Sequence, residues 1–96
     1  MPESRSHKST ANRLAKIHNA EYNQGQGPDI KTEDITIEVE TPDSVADAGR
    51  QLRGYRGPVY IAGTNKEAVD SALERYRDST IGVMDNQGNI IKPSSR

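Results

Sequence analysis

The sequence predicts a small α/β domain, a mixed β-sheet with helices on both faces. Three observations carry this reading. Short apolar runs bounded by Gly, Pro and Asn alternate with stretches whose apolar residues recur every three or four positions. The step from Glu38 to Ile61 has strand–helix–strand form, which calls for parallel strands joined by a right-handed crossover. Val59-Tyr60-Ile61-Ala62 is apolar without alternation, as expected of a strand covered on both faces.

The elements follow in order. Residues 1–9 are polar and charged with no apolar period, and read as a disordered N-terminal tail. Ser9 or Thr10 can cap a helix running to about Asn19, with Ala11, Leu14, Ala15 and Ile17 as its apolar stripe. Ala20-Glu21-Tyr22-Asn23 resembles a short edge strand, and residues 24–28 form a glycine-rich loop. Ile30-Lys31 and Ile35 to Glu40 read as a hairpin across Thr32-Glu33-Asp34. A second helix has a strong start signal: Thr41 as cap, Pro42 at the first helical position and Asp43 at the positive dipole end. Val45, Ala48, Leu52 and Tyr55 form its buried stripe, and Gly54, Gly57 and Pro58 end it. After the strand at Val59, Thr64 or Asn65 caps a third helix with Ala68, Val69, Ala72, Leu73 and Tyr76 inward. Thr80 to Met84 is the last main strand. Residues 85–89 turn it into Ile90-Ile91, and residues 93–96 fray. Residues 10–92 are thus expected to form one domain.

Composition narrows the function classes. The chain has 96 residues, 31 % of them hydrophobic, with no Phe, Trp or Cys and four Tyr. A core of Ile, Val, Leu, Ala and Tyr is thin, which favours a homodimer. The absence of Cys excludes disulfides, thiol catalysis and zinc–thiolate sites. A net charge of −1 provides no global field for nucleic acid, so any DNA contact must come from a local patch. No apolar run approaches the roughly 20 residues of a membrane span, and no signal peptide is evident, so no membrane partner and a cytoplasmic location are the default expectation.

The candidate chemistry lies in Gly27-Pro28-Asp29-Ile30 and Ile35-Thr36-Ile37-Glu38-Val39-Glu40. Strand side chains alternate, so Glu38 and Glu40 share one face and Ile37 and Val39 the other. If Asp29 lies beside that strand, three carboxylates converge. Like charges at such range are costly without a cation between them, and hard cations prefer oxygen ligands. Paired acids on a strand are otherwise ordinary solvated surface.

These residues resemble the PD-(D/E)XK nuclease superfamily, which has a restriction-endonuclease-like core. Pro28-Asp29 matches the first half of its motif and Glu38 the second acid. Gln51-Leu52-Arg53-Gly54-Tyr55 matches the Gln-x-x-x-Tyr pair of RecB-like members, and the glycine-rich approach to Pro28-Asp29 resembles archaeal Holliday junction resolvases. The resemblance spans roughly residues 20–62. It implies that Asp29, Glu38 and the Val39 carbonyl bind Mg²⁺ or Mn²⁺, and that Gln51 and Tyr55 position either the metal-bound phosphate or the strand holding Glu38. The motif lysine is replaced by Glu40, which can act as a general base or as a further metal ligand but cannot attract phosphate. Many relatives place a Glu on the first helix as a metal ligand, whereas residues 10–19 contain no acid; Glu21 follows that helix. His7, in the tail, and His18 have no partner at metal-ligand spacing.

Three functions compete. The first is a metal-dependent nuclease hydrolysing phosphodiester bonds in DNA. The second is a catalytically inactive nuclease-like domain that binds nucleic acid or a protein partner through Arg50, Arg53 and Arg56. The third is an interaction module whose acids are only surface.

Overall fold

The computed structural model describes residues 5–23 and 27–96. Parts of the expected tail (1–4) and of the expected glycine-rich loop (24–26) lie outside the described residues. Eight elements follow one another: α1 (Arg5–Ile17), β1 (Ile30–Lys31), β2 (Thr36–Glu40), α2 (Val45–Leu52), β3 (Val59–Gly63), α3 (Lys66–Arg75), β4 (Gly82–Met84) and β5 (Ile90–Lys92). They build a five-stranded sheet in the order β1-β2-β3-β4-β5. β2, β3 and β4 are parallel, and β1 and β5 flank them antiparallel. This is the mixed α/β class the sequence predicts.

The helices divide between the two faces. Ala11, Leu14 and Ala15 of α1 pack with Ile30, Ile37, Val39, Tyr60, Ala62 and Met84 on one face. On the other, α2 and α3 supply Val45, Ala48, Leu52, Ala68, Val69 and Ala72 against Val59, Ile61 and Val83. β2 and β3 are buried along their whole length, which explains the unbroken apolar run of β3. Where α2 meets α3, the Tyr76 hydroxyl bonds the Val45 and Ala46 carbonyls at 2.8 and 3.1 Å and accepts the Gly49 N–H at 3.0 Å. Gly49 is needed there, because a Cβ would stand 2.7 Å from the Tyr76 ring.

Local chemistry sets several boundaries. Thr32 Oγ1 accepts the N–H groups of Asp34 and Ile35, closing the β1–β2 hairpin. The Asn65 side chain accepts the Ala68 N–H at 2.9 Å and caps α3. Asn19 takes a left-handed conformation (φ 53°) after α1, while the Ala20 N–H reaches Ala15 O and the Asn19 N–H reaches Lys16 O. That pair of bonds is a Schellman ending.

Four local expectations need correction. Residues 5–9 are helical rather than a tail; Ser9 and Thr10, the alternative caps, both lie inside the helix, Thr10 buried at 2 % exposure. Ala20 to Asn23 form no strand, though the Asn23 N–H donates to Asp29 O beside β1. Thr41 does not cap α2. Residues 42–44 form a turn, Ser44 occupies the cap position, and Ser44 Oγ accepts the Thr41 N–H. Residues 93–96 are tied down: Ser94 Oγ donates to Thr80 O, and Arg96 donates to the Leu52 and Tyr55 carbonyls at the end of α2. No helix among the described residues is long and apolar enough to cross a membrane.

Candidate functional site

The β1–β2 register builds the site. Ile30 faces Ile37, which sets Asp29 beside Glu38. The two residues then exchange bonds: the Asp29 N–H donates to Glu38 Oε1 at 2.9 Å, and the Val39 N–H donates to Asp29 Oδ2 at 2.8 Å. Alternation directs Ile37 and Val39 beneath α1, so Glu38 and Glu40 fall on the α2 side of the sheet. There they are 7 % and 4 % exposed. They open into a cleft of about 690 Å³ bounded by Asp29, the turn at residues 41–44, Asp47 and Gln51 of α2, and Thr64-Asn65 after β3. The cleft lies at the carboxyl ends of β2 and β3, where open α/β sheets place ligands.

Acids dominate this cleft. Among the described residues no Lys or Arg lines it, whereas Asp29, Glu38, Glu40, Asp43 and Asp47 do, with His7 beside Asp29. Burial, and then the neighbouring Asp29 charge, push the Glu38 carboxyl up to about 8. Burial also raises Glu40 to about 7, and a hydrogen bond from Ser44 pulls in the opposite direction. Both acids therefore hold protons near neutrality that a cation would displace. Thr64 adds a further unmet demand: its hydroxyl is buried in the cleft wall with no hydrogen-bond partner among the described residues, which ordinarily costs about 1–3 kcal/mol.

The remaining expected residues divide. Gln51 lines this cleft and an adjoining recess shared with Gly27, Pro28, Glu38 and Tyr55. Tyr55 is half-buried and also packs against the α2–α3 core, so both readings of it find a contact. Arg50, Arg53 and Arg56 are exposed and outside the cleft lining; Arg50 sits 3.7 Å from Asp47. Glu21 does not line the cleft either.

His7 is the residue that sequence reasoning missed. It lies on α1 rather than in a tail, and its Nε2 stands 3.3 Å from Asp29 Oδ2. A signal was present: His7 precedes Ala11 by four positions and Leu14 by seven, which extends the buried stripe of α1 by one turn.

As arranged, no three His, Asp or Glu side chains among the described residues form a ready-made metal cage. Asp29 and Glu38 each have one carboxylate oxygen engaged by a backbone N–H. The donor chemistry nevertheless suits a hard divalent ion: several carboxylates, two of them buried, with no Lys or Arg among the described residues of the lining to balance them. Comparison with known proteins finds no matching family model, no matching curated protein and no matching solved structure.

Proposed function

We propose that this chain is a divalent-metal-dependent nuclease that hydrolyses phosphodiester bonds in DNA, of the PD-(D/E)XK type. The observation that carries the reading is the burial of Glu38 and Glu40 next to Asp29 in a cleft that no Lys or Arg among the described residues lines. Uncompensated buried acids destabilise a fold, and a bound cation turns that cost into affinity. The order of helix, hairpin, helix and strand around the motif residues is compatible with the resemblance.

In this reading Asp29, Glu38 and the Val39 carbonyl hold Mg²⁺ or Mn²⁺. The ion supplies Lewis-acid polarisation of the scissile phosphate and acidifies a water. Glu40 accepts the proton of the attacking water as its oxygen bonds to phosphorus and the bond to the leaving oxygen breaks. A carboxyl near 7 suits that role at neutral pH better than an ordinary glutamate does. Gln51 orients the phosphate from the cleft wall, and Tyr55 supports it from the adjoining recess.

The test combines melting and cleavage. Mg²⁺ or Mn²⁺ raises the melting temperature of the full chain and supports cleavage of DNA, including branched substrates. Asp29→Ala and Glu38→Ala remove both effects. A melting curve that no divalent ion moves would overturn the proposal.

The exposed Arg50, Arg53 and Arg56 at the end of α2 support a second reading, a nuclease-like domain that binds nucleic acid without cutting it. It expects salt-sensitive DNA binding that survives Glu38→Ala and falls when the three arginines become Gln.

A further inference from the structure

The exposed large hydrophobics among the described residues are Ile17, Ile90 and Ile91, at 53 %, 54 % and 47 % exposure. They are not scattered. Ile17 ends α1, and a Cβ at Gly88 would stand 3.1 Å from its Cδ1, so the turn into β5 lies against the end of that helix. Ile90 is registered with Met84, whose side chain belongs to the α1-side core, and Ile91 follows it. The three gather at one margin of the sheet, and contiguous apolar surface of this kind marks an interaction site. The patch is also held in place. Arg13 donates to Asn86 O, and Asp85 Oδ1 accepts the Gln87 and Asn89 N–H groups. Burying it therefore orders little that is loose.

The two edges of the sheet differ in their protection. β1 has two residues and presents exposed Lys31, short and charged as guarded edges are. β5 presents Ile90 and Ile91, and one side of it pairs with no described strand. Its own lysine is turned away, because Lys92 Nζ donates to the Ser79 and Ile81 carbonyls. Asn89, Ile90 and Ile91 are uncharged, so two copies meet there without like charges opposed. An antiparallel strand pair has a two-fold axis, so an edge strand is complementary to its own copy.

We propose that β5 and the end of α1 form the interface of a homodimer, with the β5 strands of two copies antiparallel about a two-fold axis near Ile91. A second copy is the occupant because one edge is apolar and the other guarded: pairing uses up the apolar edge and stops at two. Pro93, which has no N–H, limits the paired length. Three isoleucines and one short strand are fewer groups than the roughly 20–30 residues a side of a standard interface, so the dimer is concentration-dependent. This interface is independent of the nuclease reading.

The test follows the full chain by sedimentation velocity across a concentration series. Wild type shifts from monomer to dimer in the micromolar range. Ile91→Lys and Ile17→Ser each weaken dimerisation about tenfold or more, with unchanged far-ultraviolet circular dichroism. The chain has no Cys, so a disulfide formed by Ile91→Cys on oxidation joins copy to copy. Ile91→Cys gives a covalent dimer, whereas Lys31→Cys on the guarded edge stays monomeric on a denaturing gel. A wild type that is monomeric throughout the series overturns the proposal. So does a dimer that Ile91→Lys leaves intact, or one that Lys31→Cys crosslinks and Ile91→Cys does not. A monomer that binds a different protein through β5 gives the patch to a foreign partner and overturns the proposal equally.

Discussion

The two faces of β2 are equally hidden from water and differently satisfied. Ile37 and Val39 are 0 % and 1 % exposed beneath α1, in contact with a closed apolar cluster. Glu38 and Glu40, one position away in each case, are 7 % and 4 % exposed, yet they border a cleft and carry displaced proton affinities. The difference teaches that low exposure has two origins. One is filling, where contact replaces water with matching atoms. The other is enclosure, where surrounding walls exclude water and leave a demand behind. Stability resides in the first kind and ligand affinity in the second.

Substitutions that act oppositely on the two faces sharpen this contrast. The largest effect belongs to the filled face. Leu14→Ala removes a fully buried side chain and lowers stability by about 2–5 kcal/mol in denaturant unfolding. A loss under about 1 kcal/mol would mean that α1 is loosely docked. On the enclosed side, pH is the lever. The Glu38 and Glu40 carboxyls titrate above an ordinary glutamate, so the folded chain holds protons that the unfolded chain has released. The stability they contribute is full below the ordinary carboxylate range and declines as pH rises toward about 8, where it is lost. Melting in EDTA should fall across that window, and Glu38→Gln with Glu40→Gln should flatten the slope.

Two smaller effects follow. Tyr76→Phe leaves the ring but removes a hydroxyl that serves Val45, Ala46 and Gly49, at a cost of about 1–2 kcal/mol in the same unfolding experiment. Glu38→Gln keeps an acceptor for the Asp29 N–H and deletes a buried charge. At pH 8 without metal it should stabilise the chain by about 1 kcal/mol while abolishing any response to Mg²⁺. Destabilisation by Glu38→Gln would erase the distinction between filling and enclosure.

The legible parts of the molecule are those governed by local rules. Asn65 as cap, the Thr32 hairpin and the continuous run of β3 follow from turn chemistry and period, and the strand–helix–strand step orders the sheet. The convergence of Asp29 with Glu38 and Glu40 was readable because hairpin register and alternation together fix it. What escaped depends on partners distant in sequence. Residues 5–9 look polar, yet α1 continues through them because one side rests on the protein, with His7 where an apolar residue is usual. The C-terminal residues offer no period, but Arg96 finds the carbonyls of Leu52 and Tyr55 at and just past the end of α2, more than 40 positions earlier. Arg50, Arg53 and Arg56 read correctly as an exposed group, and sequence spacing alone could not show that they lie outside the cleft.

The strand order carries a kinetic consequence. Every strand pairs with its neighbour in the chain, so no pairing waits for a distant segment to arrive. Each parallel contact closes a loop of about two dozen residues, a modest entropic step. Such a sheet can grow outward in succession and should fold quickly for its β content. The β1–β2 hairpin is the most local of these pairings, and it already contains Asp29, Glu38 and Glu40. If the hairpin forms first, the acids meet while water still surrounds them and are desolvated as α2 and the later strands close over them.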